Sequence, residues 1–101
     1  MNIKELVVYL SGAISGRNDV DAARHFASVE TLLERAGKIV FNPMYTEPKE
    51  SWEEYMREGL AAIVDSDCVL MLSGWEKSRG AAFERIVAFE LGIPIYYEKD
   101  M

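Results

Sequence analysis

Residues Asp67–Tyr97 read DCVLMLSGWEKSRGAAFERIVAFELGIPIYY, and the order of patterns in this stretch decides the fold. Asp67 to Leu72 is a continuous apolar run, the signature of a strand buried on both faces. A glycine- and serine-rich loop, SGWEKSRG, follows it. A mostly apolar helix then spans about Ala81 to Leu91 and stops at Gly92, before a last strand at Ile93 to Tyr97. Strand, helix and strand in succession imply parallel strands joined by a right-handed crossover.

The same alternation runs back to the N-terminus. Leu6, Val7, Val8, Tyr9 and Leu10 make a first strand at about Glu5 to Leu10, followed by the loop SGAISGRND and a helix cap at Asn18 or Asp19. From Val20 the apolar residues Ala22, Ala23, Phe26, Val29, Leu32, Leu33 and Ala36 recur at helical spacing until Gly37. Lys38 to Phe41 is a short second strand, ended by Asn42 and Pro43, and YTEPKE is a surface loop. Ser51 opens the next helix with a capping box to Glu54, and its core stripe is Trp52, Tyr55, Met56, Leu60 and Ile63. Gly59 also falls on that stripe, where glycine costs about 1 kcal/mol relative to alanine, so something needs the space it leaves. The expectation is an α/β fold: one domain over residues 1–101, a Rossmann-like three-layer sandwich with a four-stranded parallel sheet in the order 2-1-3-4.

Composition narrows the function classes. With 11 basic against 17 acidic residues the net charge is −6, which argues against a nucleic-acid polymer as partner, since duplex binding rests on many Lys and Arg phosphate contacts. Cys68 is the only cysteine and lies inside an apolar run, so it reads as a buried thiol of a cytoplasmic protein. No apolar run approaches the roughly 18 residues of a membrane helix, and the first residues lack the apolar core of an export signal. His25 is the only histidine and no spacing resembles a metal site, so neither metal nor cofactor is expected.

In the order 2-1-3-4 the switch point falls between strands one and three, and ligands bind at the carboxyl ends of the strands flanking it. The loops there are SGAISGRND and SGWEKSRG, the two glycine- and serine-rich loops of the chain. The first offers backbone donors, a helix N-terminus, Ser11 or Ser15, and Arg17 to an anion, or is simply a strand-to-helix turn. It is neither a Walker loop nor a dinucleotide fingerprint. Glu84, near the start of the third helix, reads either as a partly desolvated nucleophile or as a surface carboxylate stabilised by the helix dipole.

Three segments, YLSGAISGR, DCVLML and SRGAAFERIVAFELGIPI, together resemble the nucleoside 2-deoxyribosyltransferase superfamily, in particular its small nucleotide N-glycosidase and phage-type branches. The pattern Y-x-x-G-x-I-x-G is met by Tyr9, Gly12, Ile14 and Gly16. The pattern S-x-G-x-[AG]-[FY]-E, leading to G-x-P-[IV], is met by Ser78, Gly80, Ala82, Phe83, Glu84, Gly92, Pro94 and Ile95. The resemblance implies that Glu84 is the nucleophile attacking the anomeric carbon of a deoxyribose, with Tyr9 orienting it and the glycosyl ester passing to water or a second base. It implies a nucleotide or nucleoside substrate, most specifically a deoxynucleoside 5′-monophosphate, whose phosphate meets Ser78 and the first loop, Gly12, Ser15, Gly16 and Arg17, while Ile14 packs on the base and Gly59, Trp75, Gly80 and Ala81 complete the substrate-binding set. It further implies a homodimer or larger homo-oligomer in which a neighbour's segment completes the pocket. Trp75 either stacks on a base or packs on helix two.

The chain departs from that pattern at one place. Counted back from Asp67, the position that carries an acid in the superfamily is Gly59. Glu58 is rotated by about 100° from it around the helix, and Glu76 is the other candidate for a replacement carboxylate. Asp67 lies at the amino end of its strand and reads as structural. With glycine at 59 the pocket either uses another acid, takes a differently shaped ligand, or binds nucleotides without cleaving them. Deoxyribosyl transfer between bases and a binding module without turnover therefore stand beside hydrolysis.

Overall fold

The computed structural model describes residues 6–14 and 17–101. Strand β1 spans Val7–Ser11, helix α1 Asp19–Arg35, β2 Ile39–Phe41, α2 Trp52–Val64, β3 Cys68–Met71, α3 Arg79–Glu90 and β4 Ile95–Tyr97, with single 3-10 turns at Pro43–Tyr45, Trp75–Lys77 and Glu98–Asp100. All strands are parallel, in the order β2-β1-β3-β4 that the sequence predicts. Among the described residues no helix is long and apolar enough to cross a membrane.

Strand alternation sorts the core into two layers. Val8 and Leu10 of β1 and Cys68 and Leu70 of β3, with Leu72 just beyond it, meet Phe26 and Val29 of α1 on one face. Tyr9 of β1 and Val69 and Met71 of β3 meet Ile63 of α2 and Ala81 and Ala88 of α3 on the other. Each fully buried side chain of this size contributes about 1.5–3 kcal/mol, and the central strands are covered on both sides. The Cys68 thiol is buried in the α1 layer, and burial pushes its pKa up. At the amino end of β3, Asp67 Oδ2 accepts the Val7 N–H at 2.8 Å and stitches β1 to β3.

The helix ends follow local chemistry. Asn18 caps α1 by accepting the N–H groups of Val20 and Asp21, and Ser51 caps α2 by accepting that of Glu54. Gly37 and Gly92 end α1 and α3 with φ of 84° and 71°, a region open to glycine. Three expectations need correction. α3 begins at Arg79, because the Ser78 hydroxyl accepts the Ala81 N–H and makes Ser78 the cap; the apolar rhythm starts at Ala81 and misses a polar first turn. β4 begins at Ile95, because the Ile93 N–H still donates to Ala88 O at the end of α3. Tyr55 and Leu32 face outward instead of joining the core stripes. The buried stripes run through 22, 26 and 29 in α1 and 56, 59 and 63 in α2, and a residue one position off such a stripe is turned by about 100°.

Candidate active site

The chemistry gathers on the face of β1 that carries Tyr9 and Ser11. These residues are two apart in a strand and so point the same way, toward α3. Glu84 rises from α3 to meet them and is only 8 % exposed. The Tyr9 hydroxyl donates to Glu84 Oε2 at 2.6 Å, and the Ser11 hydroxyl donates to Oε1 at 2.7 Å. Burial raises the Glu84 pKa, and these two bonds partly offset it by favouring the anion. The Tyr9 phenol is driven far above its ordinary value by burial, by the charge of Glu84, by their hydrogen bond and by Glu58. It therefore stays protonated and serves as a fixed donor.

Gly59 explains itself at this point. A Cβ placed on it would lie 2.6 Å from Glu84 Oε2 and 2.9 Å from the Tyr9 hydroxyl oxygen. Gly59 lines the cleft, and the space left by its missing side chain is taken by the ends of Glu84 and Tyr9, which any side chain at 59 would force to shift. The two replacement carboxylates lie elsewhere. Glu58 Oε2 sits 2.7 Å from Lys49 Nζ, and bonding to Lys49 holds its pKa below the usual carboxylate value. Glu76 is exposed and lines a separate small cavity with Trp75 and Tyr97.

Glu84 lies in a cleft of about 520 Å³ at the carboxyl ends of β1 and β2 and the N-terminal ends of α2 and α3. That volume is within the ordinary range for small-molecule sites. Ile14, Phe41, Met44 and Met56 form apolar walls, with the Phe41 ring stacked on Tyr9 at 5.3 Å between centroids. At the rim the Arg79 guanidinium lies 3.7 Å from the centre of the Trp52 ring, beside Lys77 and Ser78. Gly12 and Gly80 let elements approach closely: a Cβ on Gly12 would stand 3.0 Å from Leu72 Cβ, and one on Gly80 3.2 Å from Met56 Sδ.

Of the residues singled out in the sequence, Tyr9, Gly12, Ile14, Gly59, Ser78, Gly80, Ala81 and Glu84 line this one cleft. Ser15 and Gly16, like Glu5 at the start of the first strand, lie outside the described residues. Arg17 turns away: its Nη1 donates to Ala13 O and to His25 Nδ1, while His25 Nε2 meets Glu98 Oε1, which also accepts the Ser73 N–H. An arginine only donates, so His25 Nδ1 is the acceptor and Nε2 carries the proton. Trp75 does not line the cleft; it packs against the core layer that includes Ile63 of α2 and sits against Tyr97 and Arg85. Sequence reading missed Ser11 as a carboxylate partner, although its spacing from Tyr9 is the signal for it. It also missed Trp52, Lys77 and Arg79 at the rim, which carry no motif. Among the described residues no group of three or more His, Cys, Asp or Glu could hold a metal ion.

The fold is shared with a solved structure of a 2-deoxyribosyltransferase from the psychrotolerant bacterium Bacillus psychrosaccharolyticus. The TM-score is 0.69 at 20% sequence identity, with 90% of this chain and 70% of that chain covered. No curated protein matches this chain. Residues 6–97 match the family described as "Domain of unknown function (DUF4406)", so a buried carboxylate bound by two hydroxyls at the switch point of a four-stranded parallel sheet belongs to a member of that family.

Proposed function

We propose that this protein cleaves the N-glycosidic bond of a deoxynucleoside 5′-monophosphate through a covalent glycosyl-enzyme on Glu84. The observation that carries the reading is the Glu84 carboxylate at the floor of the cleft, held by Tyr9 and Ser11. The fold of a 2-deoxyribosyltransferase and the motif resemblance support it. One Glu84 oxygen attacks the anomeric carbon, the carbon–nitrogen bond breaks, and its electron pair leaves with the base. Water then attacks the same carbon and frees the carboxylate, or a second base does so in the transfer variant. Tyr9 and Ser11 fix the carboxylate plane before substrate arrives, which keeps the reacting atoms oriented. Ser78, Gly80, Lys77 and Arg79 at the N-terminus of α3 are suited to the phosphate, and Ile14 and Phe41 to the base. Association of two copies across the outer face of α3 belongs to the same proposal.

The test is base release, followed by chromatography over a panel of nucleosides and monophosphates. Wild type is expected to release base, and Glu84→Gln to release none while still binding nucleotide. Unchanged turnover in Glu84→Gln removes the central claim. A nucleotide-binding module without turnover is the second reading, favoured by one observation: Glu84 is the only carboxylate lining the cleft among the described residues. Binding across the panel with no base released would establish that module instead.

A further inference from the structure

We propose that the base this site releases is positively charged while still attached to the sugar, as in an N7-alkylated purine or a pyridinium nucleotide. The inference rests on the glycosidic reading of Glu84 and specifies its substrate. A neutral base leaves with the glycosidic electron pair and must gain a proton as it goes, a task that retaining glycosidases give to a second carboxylic acid.

The cleft offers no such acid among the described residues. Its titratable lining is Tyr9, Tyr55, Lys77, Arg79 and Glu84. The Tyr9 proton is committed to Glu84 Oε2 in a bond of 2.6 Å. Arg79 does not give up a proton, and its guanidinium is stacked on Trp52. The Tyr55 hydroxyl accepts the Lys49 N–H on the exposed side of α2, and Lys77 is exposed at the rim; neither is a carboxylic acid. Glu58, next to Gly59 on α2, is paired with Lys49. Residue 59 is a glycine and supplies no acid, and a Cβ there would force the ends of Glu84 and Tyr9 to shift. Glu84 and Tyr9 thus occupy the place on α2 where a second acid would otherwise stand.

A cationic base needs none. As Glu84 oxygen bonds to the anomeric carbon, the carbon–nitrogen bond breaks, its electron pair neutralises the ring nitrogen, and the base departs uncharged with no proton moved. Water then attacks the anomeric carbon, Glu84 leaves as carboxylate, and the water proton passes to solvent. The walls fit this charge. Phe41, Trp52 and Tyr55 line the cleft and Trp52 already carries a guanidinium on its face, the geometry of a cation–π contact. A cation beside a buried carboxylate also favours the ionised, nucleophilic form of Glu84.

The matched probes are 7-methyl-2′-deoxyguanosine 5′-monophosphate and 2′-deoxyguanosine 5′-monophosphate, which differ by one methyl group and one charge. Base release by wild type and Glu84→Gln is timed by chromatography, each corrected for spontaneous loss in the same buffer. The methylated nucleotide is expected to be cleaved faster by roughly 100-fold or more, the ordinary contribution of a general acid that its unmethylated twin lacks. The 2′-deoxy form of nicotinamide mononucleotide, cationic through a different ring, is expected to release nicotinamide in a Glu84-dependent way. Equal or faster cleavage of 2′-deoxyguanosine 5′-monophosphate, abolished in Glu84→Gln, overturns the proposal while leaving the glycosidic reading intact. Release of neither base overturns both.

Discussion

The Glu84 carboxyl is pulled in opposite directions. Desolvation favours its neutral form, and the Tyr9 and Ser11 hydroxyls favour its anion, with desolvation the larger effect. An acid whose pKa is raised by folding binds its proton more tightly in the native state. Its contribution to stability is complete below the unfolded value of about 4.3 and is lost as pH rises through the folded value. Glu84→Gln removes that loss and leaves both hydroxyls a partner, since each can donate or accept. The variant is expected to melt above wild type at pH 7, with the difference closing by about pH 4. Parallel melting curves across that range would show that Glu84 is not desolvated in the native protein. Residue by residue, the sequence shows Glu84 as an oddity of its helix, while Ser11 looks like any loop serine. Its spacing from Tyr9 places it on the same face of β1, but the partner it meets there stands 73 positions away.

At the scale of elements, α2 is built around an exception to helix preference. Exchanging an exposed mid-helix glycine for alanine gains about 1 kcal/mol. At Gly59 the new Cβ would reach Glu84 Oε2, and the charge-assisted bond it disturbs is worth about 1.5–3 kcal/mol. Gly59→Ala is therefore expected to lose about 1 kcal/mol in net stability and most of the activity, read by thermal melting and base release. A fully active variant would mean that the Glu84–Tyr9 bond is dispensable. Strand order, helix number and the two loops at the switch point were legible because buried parallel strands and glycine stops leave strong local marks. The outward turn of Tyr55 was not, because neighbouring positions on a helix differ only in angle. The polar first turn of α3 was hidden because Ser78 reads as loop until its hydroxyl is seen on the Ala81 N–H.

Over the whole molecule, the outer side of α3 remains apolar: Phe83, Ile86 and Phe89 are all exposed, Phe89 by 68 %. Such a run is what the proposed association of two copies would cover. The protein is expected to sediment as a dimer and Phe89→Asp as a monomer with unchanged circular dichroism; a monomeric wild type would remove self-association from the proposal. At the opposite side of the sheet, Glu98 ties the last turn to His25 of α1 and to Ser73 after β3, so the end of the chain is fastened to the middle.

The single cysteine has a practical consequence. Cys68 lies on a central strand, packed under α1 with 7 % of its surface exposed, and the rest is uncovered when α1 parts from the sheet. Its rate of reaction with a thiol reagent is then a clock for that opening, carried by the protein without any added label. The α1 layer can be timed in this way while the α2 and α3 layer is altered at Gly59 or Glu84. If the clock keeps its rate while base release stops, chemistry and folding have been separated in one sample.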